Sequence, residues 1–168
     1  MGYRNKTYVI FDGDKDIWAY GYMKGWKSNE NMEFNFHDAH DIRPLTDRAS
    51  DDTVKASLRT RFANAKQAIG LVGDCTKNLR KFVPWEIEIA QKLDLPIIVA
   101  NLNGNRQIDP DRCPVLLRKW PAVHVAFKAK IIQHALDNFP SEYRSIQASI
   151  PKFDWYYYGD NDYKALGL

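Results

Sequence analysis

The sequence predicts an α/β fold in three layers, a parallel β-sheet with helices on both faces. Three observations carry that prediction. Short apolar runs alternate with helical patterns along the chain. The runs are continuous rather than alternating in polarity, as in strands buried on both faces. Most stop at a turn-forming cluster before the next helical pattern begins.

Tyr8-Val9-Ile10-Phe11 is the first strand and stops at Asp12-Gly13-Asp14. Residues 15–27, rich in Trp and Tyr, follow as a helix, and Phe34-Asn35-Phe36 reads as a weaker strand. Asp51-Asp52 open the second helix, since acidic residues suit a helix N-terminus, and Val54, Leu58, Phe62 and Ala65 fall on one face. Ala68 to Val72 is a buried strand ending at Gly73-Asp74. Phe82, Trp85, Ile89 and Leu93 mark the next helix, with Pro84 acceptable only in its first turn. Pro96 to Ala100 is the clearest buried strand, and it runs into the turn-rich loop Asn101 to Asn105. Val123-His124-Val125 is a fifth strand, and Ile131, Ile132, Ala135 and Leu136 make the last amphipathic helix. Five strands in this alternation suggest the flavodoxin-like order 2-1-3-4-5. Such a sheet binds ligands beyond its strand carboxyl ends, which gathers Phe11 to Asp16, Phe36 to Asp41 and Gly73 to Asn78 around one cleft.

The 168 residues suit a single domain, 1–168, with a core of about 6–138 and an aromatic extension, 139–168, packed on it. With 45% hydrophobic and 27% charged residues the composition is ordinary for a globular chain and excludes a disordered one. The net charge of +3 is too weak to argue for nucleic acid without a clustered basic face. Cys75 and Cys113 form no CxxC pair and read as free thiols in a reducing compartment. No stretch approaches the roughly 18 apolar residues of a membrane helix, and no signal peptide is evident. The expectation is a soluble cytoplasmic protein that binds neither nucleic acid nor membrane. Six aromatics between Phe153 and Tyr163 are expected to pack back on the domain, an oligomer contact being the other reading.

Among the polar constellations, Glu86 and Glu88 come first. Two residues apart on a helix is about 200° of rotation, so these carboxylates cannot act as a pair. Glu88 has Lys92 at i+4 as a solvated partner. Glu86 has Phe82, Ile89 and Ala90 as helical neighbours, so its carboxylate is expected to be partly desolvated and its pKa raised. The plainer reading is a boundary residue that reaches water. Asp12-Gly13-Asp14-Lys15-Asp16 lacks the Gly and Glu of a calcium loop. A strand ending in DxD resembles the first motif of magnesium-dependent phosphatases, with Asp12 as nucleophile and Asp14 as acid/base, but a turn and helix cap is the simpler assignment. His37, Asp38, His40 and Asp41 suggest a metal site without a third well-spaced ligand, so a polar loop is preferred and no metal is expected. His124, in a strand, reads as a hydrogen-bonded core histidine.

Phe82-Val83-Pro84-Trp85-Glu86-Ile87-Glu88, with Tyr8 to Asp12 at the first strand, resembles the bacterial TIR-like family, in the branch typified by the TIR protein of the Thoeris antiphage system. Phe36 to Asp41 after the second strand and Leu71 to Lys77 after the third support it, and the resemblance spans roughly residues 6–138. It implies a TIR fold and cleavage of the nicotinamide–ribose bond of NAD+, which is substrate rather than cofactor, to make a cyclic or linear ADP-ribose signal in antiphage defence. It implies Glu86 as the catalytic residue and Phe11, Asp12, Gly13, Asp41 and Trp85 as substrate-binding residues. It implies a homo-oligomer on activation and a downstream effector reached through a diffusible nucleotide. A non-enzymatic TIR scaffold is the alternative, and a magnesium phosphatase the third reading.

Overall fold

The computed structural model describes residues 6–38, 50–149 and 154–168. One sheet organises them, in the order β2-β1-β3-β4-β5-β6, with every neighbouring pair parallel. Its strands are β1 (Lys6–Ile10), β2 (His37–Asp38), β3 (Gln67–Val72), β4 (Ile97–Asn101), β5 (Val123–Ala126) and β6 (Tyr156–Tyr157). The helices are α1 (Ile17–Ser28), α2 (Asp51–Phe62), α3 (Phe82–Lys92), α4 (Val115–Arg118), α5 (Ala129–Ser149) and α6 (Asp160–Ala165).

Alternation along each strand divides the core in two. Val9, Ile69, Leu71, Ile98, Val123 and Val125 face α1 and α5, where Tyr20, Met23, Ile132 and Phe139 meet them. Tyr8, Ile10, Ala68, Val72, Ile97 and Val99 face α2, α3 and α4, where Leu58, Phe62, Ile87 and Leu117 meet them. Helices therefore cover both faces, and every residue of β3, β4 and β5 is buried. Local chemistry sets the helix starts. Ser50 caps α2 by accepting the Thr53 N–H at 3.3 Å, and Asp51 and Asp52 sit in its first turn. Pro84 falls in the first turn of α3, where no intrahelical hydrogen bond is lost.

Three expectations need correcting. The sheet has six strands, not five, because the aromatic tail adds β6 beside β5. Phe34 and Phe36 are buried but form no strand; pairing begins at His37, opposite Lys6, and lasts two residues. The boundary expected at residue 138 falls inside α5, which continues through Pro140 to Ser149. The tail then packs on the core: Tyr158 and Tyr163 are buried, and the Ala126 N–H donates to the Tyr163 hydroxyl at 3.1 Å. Among the described residues no helix is long and apolar enough to cross a membrane.

Candidate functional site

Glu86 lies on α3 with its side chain turned in toward β1 and α2. It is only 6% exposed, while Glu88 is on the solvent side. Burial pushes the Glu86 pKa up to about 8; the Arg61 guanidinium and the Tyr8 hydroxyl oppose that shift by favouring the ionised form. Oε2 has no hydrogen-bond partner among the described residues. Tyr8 itself is fixed by stacking on Phe62, with centroids 3.8 Å apart. Thus the helical phase read from Phe82, Ile89 and Ala90 places Glu86 correctly, and its burial is deeper than a boundary position.

The other residues expected around the site divide between the two sides of the sheet. Phe11 stacks on Tyr20 of α1 at 4.9 Å and packs on the α1/α5 side. Trp85 packs on the α2/α3 side, edge-on to Phe82, with the Lys55 ammonium 4.7 Å above its ring. Asp12 is buried, and its Oδ1 accepts the N–H groups of Asp14 at 2.9 Å and Lys15 at 3.2 Å. That is the turn-forming assignment for the DxD sequence. Gly13 is exposed in this turn, and a side chain there would meet nothing within 4 Å. Asp41 lies outside the described residues, as does His40. Among the described residues no group of three His, Cys, Asp or Glu side chains is arranged to hold a metal.

The sequence reading placed Asp16 at the cleft beyond the strand ends but assigned its side chain no partner. Asp16 is buried where the β1–α1 loop meets the turn after β3, next to the switch point between β1 and β3. The Thr76 hydroxyl donates to Asp16 Oδ2 at 3.2 Å and accepts the Gly73 N–H at 2.9 Å. Burial raises the Asp16 pKa against that hydrogen bond, and the carboxylates of Asp12 and Asp74 push the same way. A Cβ at Gly73 would lie 2.5 Å from Asp16 Oδ1, so any larger residue there would have to displace the Asp16 carboxylate. The sequence signal was Gly73 itself, at the end of a buried strand.

A cleft of about 360 Å³ opens above these groups, lined by Lys15, Asp16, Trp18, Asp74, Asn103 and Arg112 among others. Its far wall is a polar network. Burial pushes the Asp109 pKa up, but hydrogen bonds from Asn103, Arg112 and the backbone outweigh it and hold the carboxyl below the usual range. Asp109 Oδ2 accepts Asn103 Nδ2 at 2.7 Å and Arg112 Nη1 at 3.2 Å, and Arg112 Nε donates to Asp74 at 2.7 Å. Cys75 and Cys113 are both free, and burial pushes the Cys113 thiol up to about 12.

The doubly wound parallel sheet, with its first five strands in the order 2-1-3-4-5, makes this a flavodoxin-like α/β domain, consistent with a TIR fold. The family described as Thoeris protein ThsB, TIR-like domain, matches residues 8–107. The chain belongs to that family, and with it to the TIR-like proteins of antiphage defence. The match runs from β1 through the loop after β4 and so contains Glu86, Asp16 and Asp74. No curated protein matches the chain.

Proposed function

We propose that this chain cleaves the nicotinamide–ribose bond of NAD+, with Glu86 as the catalytic carboxylate. The observation that carries the reading is the Glu86 environment: a buried carboxylate on α3, faced by Tyr8 and Arg61, with one oxygen free of hydrogen bonds among the described residues. Breaking the C1′–N bond develops positive charge on the ribose ring, and nicotinamide leaves with the bonding electrons as a neutral molecule. A carboxylate beside that ring stabilises the charge most strongly where water is excluded. A pKa of about 8 leaves Glu86 mostly protonated at neutral pH, so arrival of the cationic nicotinamide ring favours its ionisation. Attack at C1′ by water gives ADP-ribose; attack by a ring nitrogen of the same molecule's adenine gives a cyclic isomer. The product serves as a diffusible signal to a downstream effector, and the enzyme works as a homo-oligomer without nucleic acid or membrane.

Phe11, Asp12, Gly13, Asp41 and Trp85 are proposed as substrate-binding residues, with Phe11 and Trp85 on separate walls. The burial of Glu86 favours a second reading, a TIR scaffold that signals by protein contacts. The two separate in one experiment. Concentrated wild type and Glu86→Gln are incubated with NAD+, and products are resolved by chromatography and mass. Nicotinamide release by wild type alone supports the enzyme, and the co-product mass tells hydrolysis from cyclisation. No release by assembled wild type favours the scaffold.

A further inference from the structure

The cleft above Asp16 lies where the loops after β1, β3 and β4 meet, at the carboxyl ends of those strands. Leu102 in its wall packs with the α1/α5 core, whereas Glu86 sits across the sheet on α3. Its volume of about 360 Å³ falls near the small end of ligand pockets, which start at roughly 300 Å³. It therefore has room for one nucleoside monophosphate rather than a dinucleotide.

The floor holds a carboxyl that is only half satisfied. Asp16 is 6% exposed. The Thr76 hydroxyl donates to its Oδ2, but no hydrogen bond from the described residues reaches Oδ1. Gly73 keeps open the space beside Oδ1 that a Cβ would fill. Asp74 is paired with Arg112 at 2.7 Å, while Asp16 has no cation partner among the described residues. The rim has the opposite sign. Lys15 is exposed and makes no ion pair among the described residues. Arg112 donates through Nε to Asp74 and through Nη1 to Asp109, which leaves Nη2 uncommitted. α1 begins here without a side-chain cap, because the carboxyl of its N-cap residue, Asp16, is turned to Thr76 instead. The positive end of this helix therefore borders the cleft.

We propose that this cleft binds the ribose 5′-phosphate unit of a nucleotide. A bare anion would be pressed against Asp16, and a bare cation against Lys15, Arg112 and the helix end. A sugar phosphate satisfies both sides. Its hydroxyls donate to Asp16 Oδ1, and its phosphate takes Lys15 and the uncapped N–H groups of α1. Trp18, 47% exposed at the rim, gives the base a ring to lie against. That ring is already steadied edge-on by Tyr22 at 5.7 Å and Phe127 at 5.9 Å. The site does not rest on Glu86 or on the cleavage of NAD+.

Isothermal titration of the full chain with AMP tests this. AMP binds saturably, and at least one of 2′-deoxy-AMP and 3′-deoxy-AMP binds about tenfold more weakly, because a hydrogen bond to a carboxylate is lost. Asp16→Asn abolishes that preference: its carbonyl keeps the Thr76 bond, and its NH2 group cannot accept from a hydroxyl. Lys15→Gln, an exposed change that leaves the melting temperature unaltered, weakens AMP by about threefold or more. If Asp16→Asn does not fold, the comparison of AMP with its deoxy forms on wild type still decides. Absence of saturable AMP binding overturns the proposal. So does equal affinity for AMP and both deoxy forms, and so does inorganic phosphate binding as tightly as AMP. Glu86→Gln, in which Asp16 is untouched, binds AMP within about twofold of wild type. On that variant NAD+ displaces AMP where the unit belongs to the substrate, and leaves it in place where the cleft serves a separate nucleotide; the site stands in either case.

Discussion

Glu86 and His124 are both ionisable and both sealed from water, at 6% and 0% exposure. Burial drives each toward its neutral form, raising Glu86 to about 8 and lowering His124 to about 4. Their surroundings differ. Glu86 has Arg61 and Tyr8, which favour its charged form. His124 has no hydrogen-bond partner at either ring nitrogen among the described residues, and the Trp155 ring stands perpendicular to it with centroids 6.1 Å apart. The expectation of a hydrogen-bonded histidine was therefore wrong. Glu86 keeps access to both protonation states near neutral pH, whereas His124 is penalised in either one. Burial alone does not mark a functional residue; the groups that support its charge do.

The largest expected effect separates the two on activity. Glu86→Gln lowers nicotinamide release by about 10²-fold or more, and His124→Leu leaves it within about twofold. A large loss in the histidine variant, at unchanged stability, breaks the comparison. The pH dependence of stability comes next. Glu86 binds its proton more tightly folded than unfolded, so its contribution is full below about pH 4.5 and is lost as pH rises to about 8. His124 resists its proton when folded, so its contribution is full above about pH 6.5 and is lost as pH falls toward 4. Thermal melts therefore show Glu86→Gln gaining on wild type with rising pH, and His124→Leu gaining with falling pH. At neutral pH the leucine variant is more stable by about 1–2 kcal/mol, because two unpaired ring nitrogens are removed. Arg61→Gln moves the midpoint of Glu86 ionisation upward by about one pH unit, read from the pH profile of NAD+ cleavage. Glu88→Gln, on the exposed side of α3, changes neither activity nor stability by more than about 0.5 kcal/mol.

The elements easiest to read were those whose signal is local. Ile97 to Ala100 is a continuous apolar run and forms β4, while Val54, Leu58 and Phe62 repeat at helical spacing and form the buried side of α2. The phase of Glu86 followed from the same arithmetic. What depended on distant partners was not legible. Phe34 and Phe36 look like a strand, yet the pairing falls on His37 and Asp38, which no hydropathy pattern marks. β6 is two tyrosines whose pairing with Val123 and His124 comes from the other side of α5. The α6 start did carry a local signal: the Gly159 N–H donates to the Asp162 carboxylate at 2.9 Å, a polar pair three residues apart. Topology placed Asp16 at the cleft, but its hydrogen bond to Thr76 was not legible, because that partner is sixty residues away.

Closure of the sheet by β6, with Tyr163 inserted behind it, has a bearing on how the protein is made. During synthesis β1 to β5 and Glu86 emerge first. The outer edge of β5 stays bare, and the Ala126 N–H lacks its acceptor, until Tyr163 has left the ribosome. An open edge of this kind recruits other strands. The nascent chain is thus prone to mispairing at β5 until β6 and Tyr163 have emerged. Polysome-bound copies are expected to be protease-sensitive around β5, and to gain protection when α6 docks.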